Sequence, residues 1–130
     1  MNLLEAFDHP VRRQPHAPAF VTPDRVLSYQ EADERVRRMA GALRGLGLGP
    51  GDRVALRLPN SPSFVLAILA LCRLGAVAVP VPRRRPAGQL APTVQRLGVR
   101  WTLGLVEADA LAETRFVAVD DALLAPVSDA

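Results

Sequence analysis

The chain has no lysine: all sixteen of its basic residues are arginine. Within these residues there is no amine for a Schiff base and no lysine to complete a nucleoside-triphosphate loop, which excludes the mechanisms built on either. Cysteine is almost as scarce. Cys72 stands alone inside an apolar run, so no disulfide, cysteine zinc site or redox pair can form within these residues, and core filling is its expected role. The longest apolar run, Phe64 to Cys72, is far too short to cross a bilayer. The first residues carry Glu5, Asp8 and two arginines where a secretory signal would be apolar. No membrane association and a cytoplasmic location are expected. Net charge is only +3, aromatics make up 5%, and acids interleave with bases in "EADERVRR". A nucleic-acid surface would concentrate positive charge and interleave aromatics, so no nucleic-acid partner is expected.

What is present fits one globular domain: 130 residues, 49% hydrophobic and 22% charged. Leu3, Leu4, Phe7 and Val11 recur at helical spacing and predict a short amphipathic helix over 2–13. Two extended pieces, 19–22 and 25–27, flank Pro23-Asp24, a tight-turn pair. Ser28 and Glu31 have the spacing of a capping box, which opens a helix whose buried stripe is Ala32, Val36, Met39, Ala40 and Leu43. "RVALRL" then alternates Val54, Leu56 and Leu58 against Arg53, Ala55 and Arg57, as a strand does. Ser61-Pro62 starts a helix that is apolar on nearly every face and is expected to be covered by the rest of a larger protein; Gly75 ends it. "AVAVPV" reads as a strand in the buried interior of a parallel sheet. The arginine loop 83–85, a helix over 88–97 closed by Gly98, a strand in "RWTLGL", a short helix in "EADALAE" and a strand in "RFVAVD" complete the alternation. The final "LLAPVSDA" carries no sign of a finished domain. The expected fold class is α/β: a doubly wound parallel sheet with flanking helices, preceded by a small N-terminal helix and a β-hairpin.

The glycines at 45, 47, 49 and 51 suggest a phosphate loop at first sight. Their spacing is GxGxGxG rather than GxGxxG, with Pro50 or Asp52 where a third glycine is required, and a helix precedes them where a strand should. They are expected instead to end a helix at Gly45 or Gly47 and to place Pro50-Gly51 in the middle of a type II turn. His9 and His16 have no nucleophile or metal-ligand spacing near them. No catalytic residue and no metal ligand is expected in the chain.

Taken in order, "LSYQEA", "GLGLGPGDRVALRLPNSP" and "LCRLGAVAVPV" resemble successive motifs of the adenylate-forming (AMP-binding) superfamily, over residues 15–105. The resemblance is nearest in appearance to acyl-CoA and aryl-CoA ligases. It implies that 1–130 is the N-terminal segment of such an enzyme's large domain, a partial subdomain of a larger fold. It also implies a two-step reaction in which a carboxylate attacks ATP and a thiol then takes the acyl group. The complete enzyme would use ATP, Mg and CoA, none of them bound by this chain alone. The family's phosphate loop, ribose-binding acid, magnesium ligand and C-terminal lysine have no counterpart here, so the chain alone is not expected to catalyse the reaction. Arg83 stands where CoA-forming members have a basic residue near the nucleotide phosphate of CoA; the alternative is that Arg83, Arg84 and Arg85 form a solvated loop. The implied partner is the remainder of the ligase, on the same or a second polypeptide. A stand-alone module that binds a partner protein or itself is the competing reading. A nicotinamide-dependent enzyme fits the alternation of elements but not the glycine spacing.

Overall fold

Asn2 and Ser28 begin the two N-terminal helices by the same device. In each, a side-chain oxygen accepts from the backbone N–H three residues on, while that residue's glutamate accepts from the cap's own N–H. The distances at Ser28 and Glu31 are both 3.1 Å. Such reciprocal bonds satisfy backbone donors that the first helical turn leaves free. The computed structural model describes residues 2–119. In it, α1 (Leu3–Arg13) leads to an antiparallel hairpin of β1 (Pro18–Thr22) and β2 (Arg25–Ser28), then α2 (Tyr29–Gly45). All five residues of the expected α2 stripe are buried. The "LLAPVSDA" reading lies outside the described residues.

From Arg53 onward strands and helices alternate: β3 (Arg53–Arg57), α3 (Pro62–Leu74), β4 (Val77–Pro80), α4 (Ala87–Arg96), β5 (Trp101–Gly104) and β6 (Arg115–Ala118). The four strands form a parallel sheet in the order β4-β3-β5-β6. Alternation along β3 divides the core between the two faces. Val54 and Leu56 join Trp101, Leu103, α1, α2 and α3 in one cluster, whereas Ala55 joins Val94 of α4, Val99 and Leu111 in a second. Helices on both faces make this a doubly wound sheet, the class that the alternation predicts. Arg73 of α3 ties the first layer together, reaching Asp8 of α1 at 2.8 Å and Asp33 of α2 at 2.9 Å.

The glycines act as turn-formers. Gly47, at φ +101°, follows the end of α2, and Gly51, at φ +81°, occupies a turn closed by the Asp52 N–H donating to the Gly49 carbonyl at 3.2 Å. Of the two candidates for ending α2, Gly47 does so, and Gly45 is the helix's last residue. Both turns lie at the N-terminal end of β3, the opposite end of the sheet from where open α/β sheets bind ligands.

Three expectations need correction. "AVAVPV" is the sheet's edge strand among the described residues rather than its interior, and Val77 is 47% exposed. A β-branched run records that both faces suit apolar neighbours, but it carries no information about how many strands flank it. The apolar surround of α3 comes largely from this chain, since α1, α2 and the sheet enclose it. "EADALAE" forms only one 3-10 turn, Glu107–Asp109. There the Asp109 carboxylate accepts from the backbone N–H groups of Leu105 and Val106, a local alternative that competes with helix formation.

Candidate functional site

β3 lies between β4 and β5: the chain passes from β3 through α3 to β4 on one side, then returns through α4 across the other face to β5, so the strand order reverses beside β3. Ligands of open α/β sheets bind beyond the strands' C-terminal ends at such a point. Here the crevice is occupied by the chain's own Arg57, the last residue of β3, which is 2% exposed. Its Nη1 donates to the Asp109 carbonyl at 3.1 Å. Its Nη2 donates to the carbonyls of Arg83 and Arg85 at 3.0 and 2.7 Å and lies 3.5 Å from that of Pro82. A buried cation is costly unless polar groups replace its lost water. Four backbone oxygens, from the two loops that follow β4 and β5, do so for the two Nη groups, while the buried Nε has no hydrogen-bond partner among the described residues.

Asp109 is the crevice's second charged group. Its Oδ2 accepts from the N–H groups of Leu105 and Val106 at 2.9 and 3.1 Å, and the carboxylate meets Nε and Nη2 of Arg83 at 3.2 and 3.3 Å. Burial pushes the carboxyl upward, but the Arg83 hydrogen bond and the two backbone N–H groups outweigh it and hold Asp109 below the usual aspartate range. Room for this carboxylate exists because position 104 is glycine. A Cβ there would lie 2.5 Å from that of Asp109.

Beside the plugged crevice lies an open cleft of about 520 Å³ between the ends of β3 and β4 and the first turn of α3. Leu58, Phe64 and Val81 give it apolar walls, and Asn60, Arg83 and Arg84 its polar groups. The N-terminus of α3 adds a partial positive charge, because the Ser61 hydroxyl donates to the Pro59 carbonyl at 3.3 Å and caps nothing. An apolar floor with arginines and a helix N-terminus suits an anionic ligand that carries an organic body.

Arg83, the residue singled out in the sequence, thus lines the cleft with its side chain 34% exposed and two guanidinium nitrogens engaged by Asp109. Sequence reasoning missed Arg57, Asp109 and Gly104. The available signal for Arg57 was a cation at the C-terminal end of a strand whose three middle residues are apolar, next to the reversal of strand order. His9 and His16 are exposed. Among the described residues no group of three or more His, Cys, Asp or Glu side chains could hold a metal ion, and no helix is long and apolar enough to cross a membrane.

The AMP-binding enzyme family matches residues 7–128. The chain belongs to that family. Among curated AMP-binding relatives, it is 46% identical over 86 residues to the salicyl-AMP ligase / salicyl-S-ArCP synthetase of Mycobacterium tuberculosis, across 64% of this chain and 14% of that protein. Novobiocin biosynthesis protein H of Streptomyces niveus is 43% identical over 93 residues, 68% of this chain and 16% of that one. The long-chain-fatty-acid–CoA ligase of Salmonella typhimurium is 40% identical over 81 residues, 62% of this chain and 14% of that one. The chain therefore spans about one sixth, or less, of the length of these relatives. Among solved structures, the N-terminal subdomain of Klebsiella oxytoca NpsA matches with a TM-score of 0.86 at 24% identity, over 96% of this chain and 33% of that one. The same subdomain in complex with anthranilyl-AMSN matches at 0.85 and 25%, over 98% and 34%. The chain thus has the α/β fold of part of such an N-terminal subdomain, about a third of its length.

Proposed function

We propose that this chain is the N-terminal structural portion of an ATP-dependent acid–thiol ligase, which activates an aryl or acyl carboxylate as its adenylate and passes it to a thiol. One observation carries the reading: nearly the whole chain matches within the NpsA N-terminal subdomain while covering only about a third of that subdomain. In this reading ATP, Mg and the acid are held by the remainder of the ligase, which is the chain's partner. The relatives' names span an aryl-AMP ligase and a fatty-acid–CoA ligase, and the acid is assigned to that joint class.

The chain's own contribution lies at the cleft. Arg83 and Arg84, with the N-terminus of α3, offer positive charge to the nucleotide phosphate of CoA, and the apolar walls receive the neutral part of the molecule. The Asp109 contact anchors the Arg83 guanidinium, so a phosphate meets a cation already fixed in place rather than one that must be ordered. With no lysine and no phosphate loop in its 130 residues, the chain lacks the two groups that the resemblance to the family assigns to phosphoryl charge in the adenylation step.

ATP–pyrophosphate exchange tests the reading. With salicylate, anthranilate or a long-chain fatty acid, the chain alone is expected to give background exchange. Exchange above background would overturn the proposal that the adenylation machinery lies elsewhere.

A further inference from the structure

We propose that Arg57 is a positioning residue for the cleft: its buried guanidinium is the template around which the loop 82–85 folds, and it thereby sets where Arg83 and Arg84 are presented. Arg57 touches no solvent-facing surface of the cleft itself, being 2% exposed. Its effect runs through backbone. Nη2 gathers the carbonyls of Arg83 and Arg85, with that of Pro82 at the limit of hydrogen-bond distance. These residues would otherwise form an exposed, proline-flanked loop with few ties to the rest of the chain. Nη1 holds the carbonyl of Asp109, whose carboxylate in turn grips the Arg83 side chain. One guanidinium therefore constrains Arg83 twice, through its backbone oxygen directly and through its side chain by way of Asp109.

The chemistry requires arginine. A planar fork with five donors can serve two loops at once, whereas an ammonium is a single point with three donors and a shorter reach. No carboxylate forms an ion pair with Arg57 among the described residues. Its partners are backbone oxygens, the groups that define a loop's path. That selection suits a residue that shapes backbone better than one that balances charge.

The role rests on the reading that the cleft receives the nucleotide phosphate of CoA, and two measurements separate the claims. The first is limited trypsin digestion of the whole chain. The Arg83–Arg84 and Arg84–Arg85 bonds are potential cleavage sites, Arg85–Pro86 resists the enzyme, and the bond after Arg25, the first residue of the paired strand β2 and remote from Arg57, serves as an internal control. In Arg57→Met, checked for folding by circular dichroism, the ratio of loop to control cleavage should rise about tenfold, the scale of losing hydrogen bonds to a charged group. Arg57→Lys should fall between the two, and it supplies the comparison if the methionine variant does not fold. An unchanged ratio in a folded variant would overturn the proposal. The second measurement is calorimetric titration with CoA, where Arg57→Met should weaken binding about tenfold and Arg57→Lys should recover part of the loss. Unaltered CoA affinity in a folded variant whose loop is cut faster would overturn the link between loop position and binding. Binding by the wild-type chain would revise the expectation, drawn from the resemblance, that CoA is not held by this chain alone; without binding the acceptor reading fails at this cleft, and the cleavage ratio still decides whether Arg57 positions the loop.

Discussion

Gly104 shows how one missing methyl group organises the crevice. The Asp109 carboxylate lies against its backbone, and a Cβ added at 104 would meet the Asp109 Cβ at 2.5 Å and the carboxyl carbon at 3.1 Å. Because backbone bonds hold the carboxylate from Leu105 and Val106, it cannot swing aside without giving them up. Gly104→Ala is therefore expected to destabilise the fold by about 1–3 kcal/mol, the usual range for overpacking. Urea unfolding followed by Trp101 fluorescence checks this, and a variant as stable as wild type would mean that Asp109 does not need the space. Little of this was legible in the sequence. "LGLVEAD" reads as a strand followed by a helical start, and the function of Gly104 and Asp109 depends on Arg83 and Arg57, which come from other elements. The motif order exposed Arg83; contact between loops far apart in the chain exposed its partners.

Elements defined by local chemistry were the most readable. The capping box at Ser28, the proline-led start of α3 and the left-handed glycines at 75 and 98 depend on residues a few positions apart, and each is present as expected. Ser28→Ala removes the hydroxyl that accepts from Glu31 N and should cost about 1 kcal/mol. The same box carries a pH dependence. Hydrogen bonds from Ser28, backbone first and then hydroxyl, hold the Glu31 carboxyl below its ordinary range. A lowered folded-state pKa contributes stability above the ordinary glutamate value of about 4.3 that is lost as pH falls through that value and below. The difference between wild type and Ser28→Ala, measured by thermal unfolding, is expected to shrink over that acidic window; a constant difference would place the loss in the hydroxyl alone. Two elements were misread for tertiary reasons. Strand β4 has interior composition but edge position, and the helical pattern after β5 yields to the bonds that Asp109 makes with its own backbone.

Across the molecule, the sheet separates two apolar clusters that unfold together only if β3 links them. Val54 and Leu56 face one cluster and Ala55 the other, so loss of either side exposes the shared strand. Arg115 strengthens the connection at the far end, lying over the Trp101 ring at 4.8 Å and donating to the Leu46 carbonyl at the end of α2, where a cation is favoured by the helix dipole. Urea transitions followed by far-ultraviolet circular dichroism and by Trp101 fluorescence should therefore coincide. Separated midpoints would show that α4 and its cluster come apart from the rest. At this scale the doubly wound class was legible because alternating strands and helices admit few topologies. The share of each cluster formed within the chain was not, since an apolar helix looks the same whether its cover comes from its own chain or from another.

The carbonyl cradle of Arg57 has a consequence for ionic strength. Mobile ions screen exposed charges over roughly 8 Å at physiological salt and act much less on buried groups. The attraction that exposed arginines exert on a phosphate fades as salt rises. The guanidinium that shapes their loop is bonded to neutral oxygens out of reach of solvent and is largely indifferent to it. If the cleft takes a phosphate as proposed, rising salt would empty it while leaving its form unchanged.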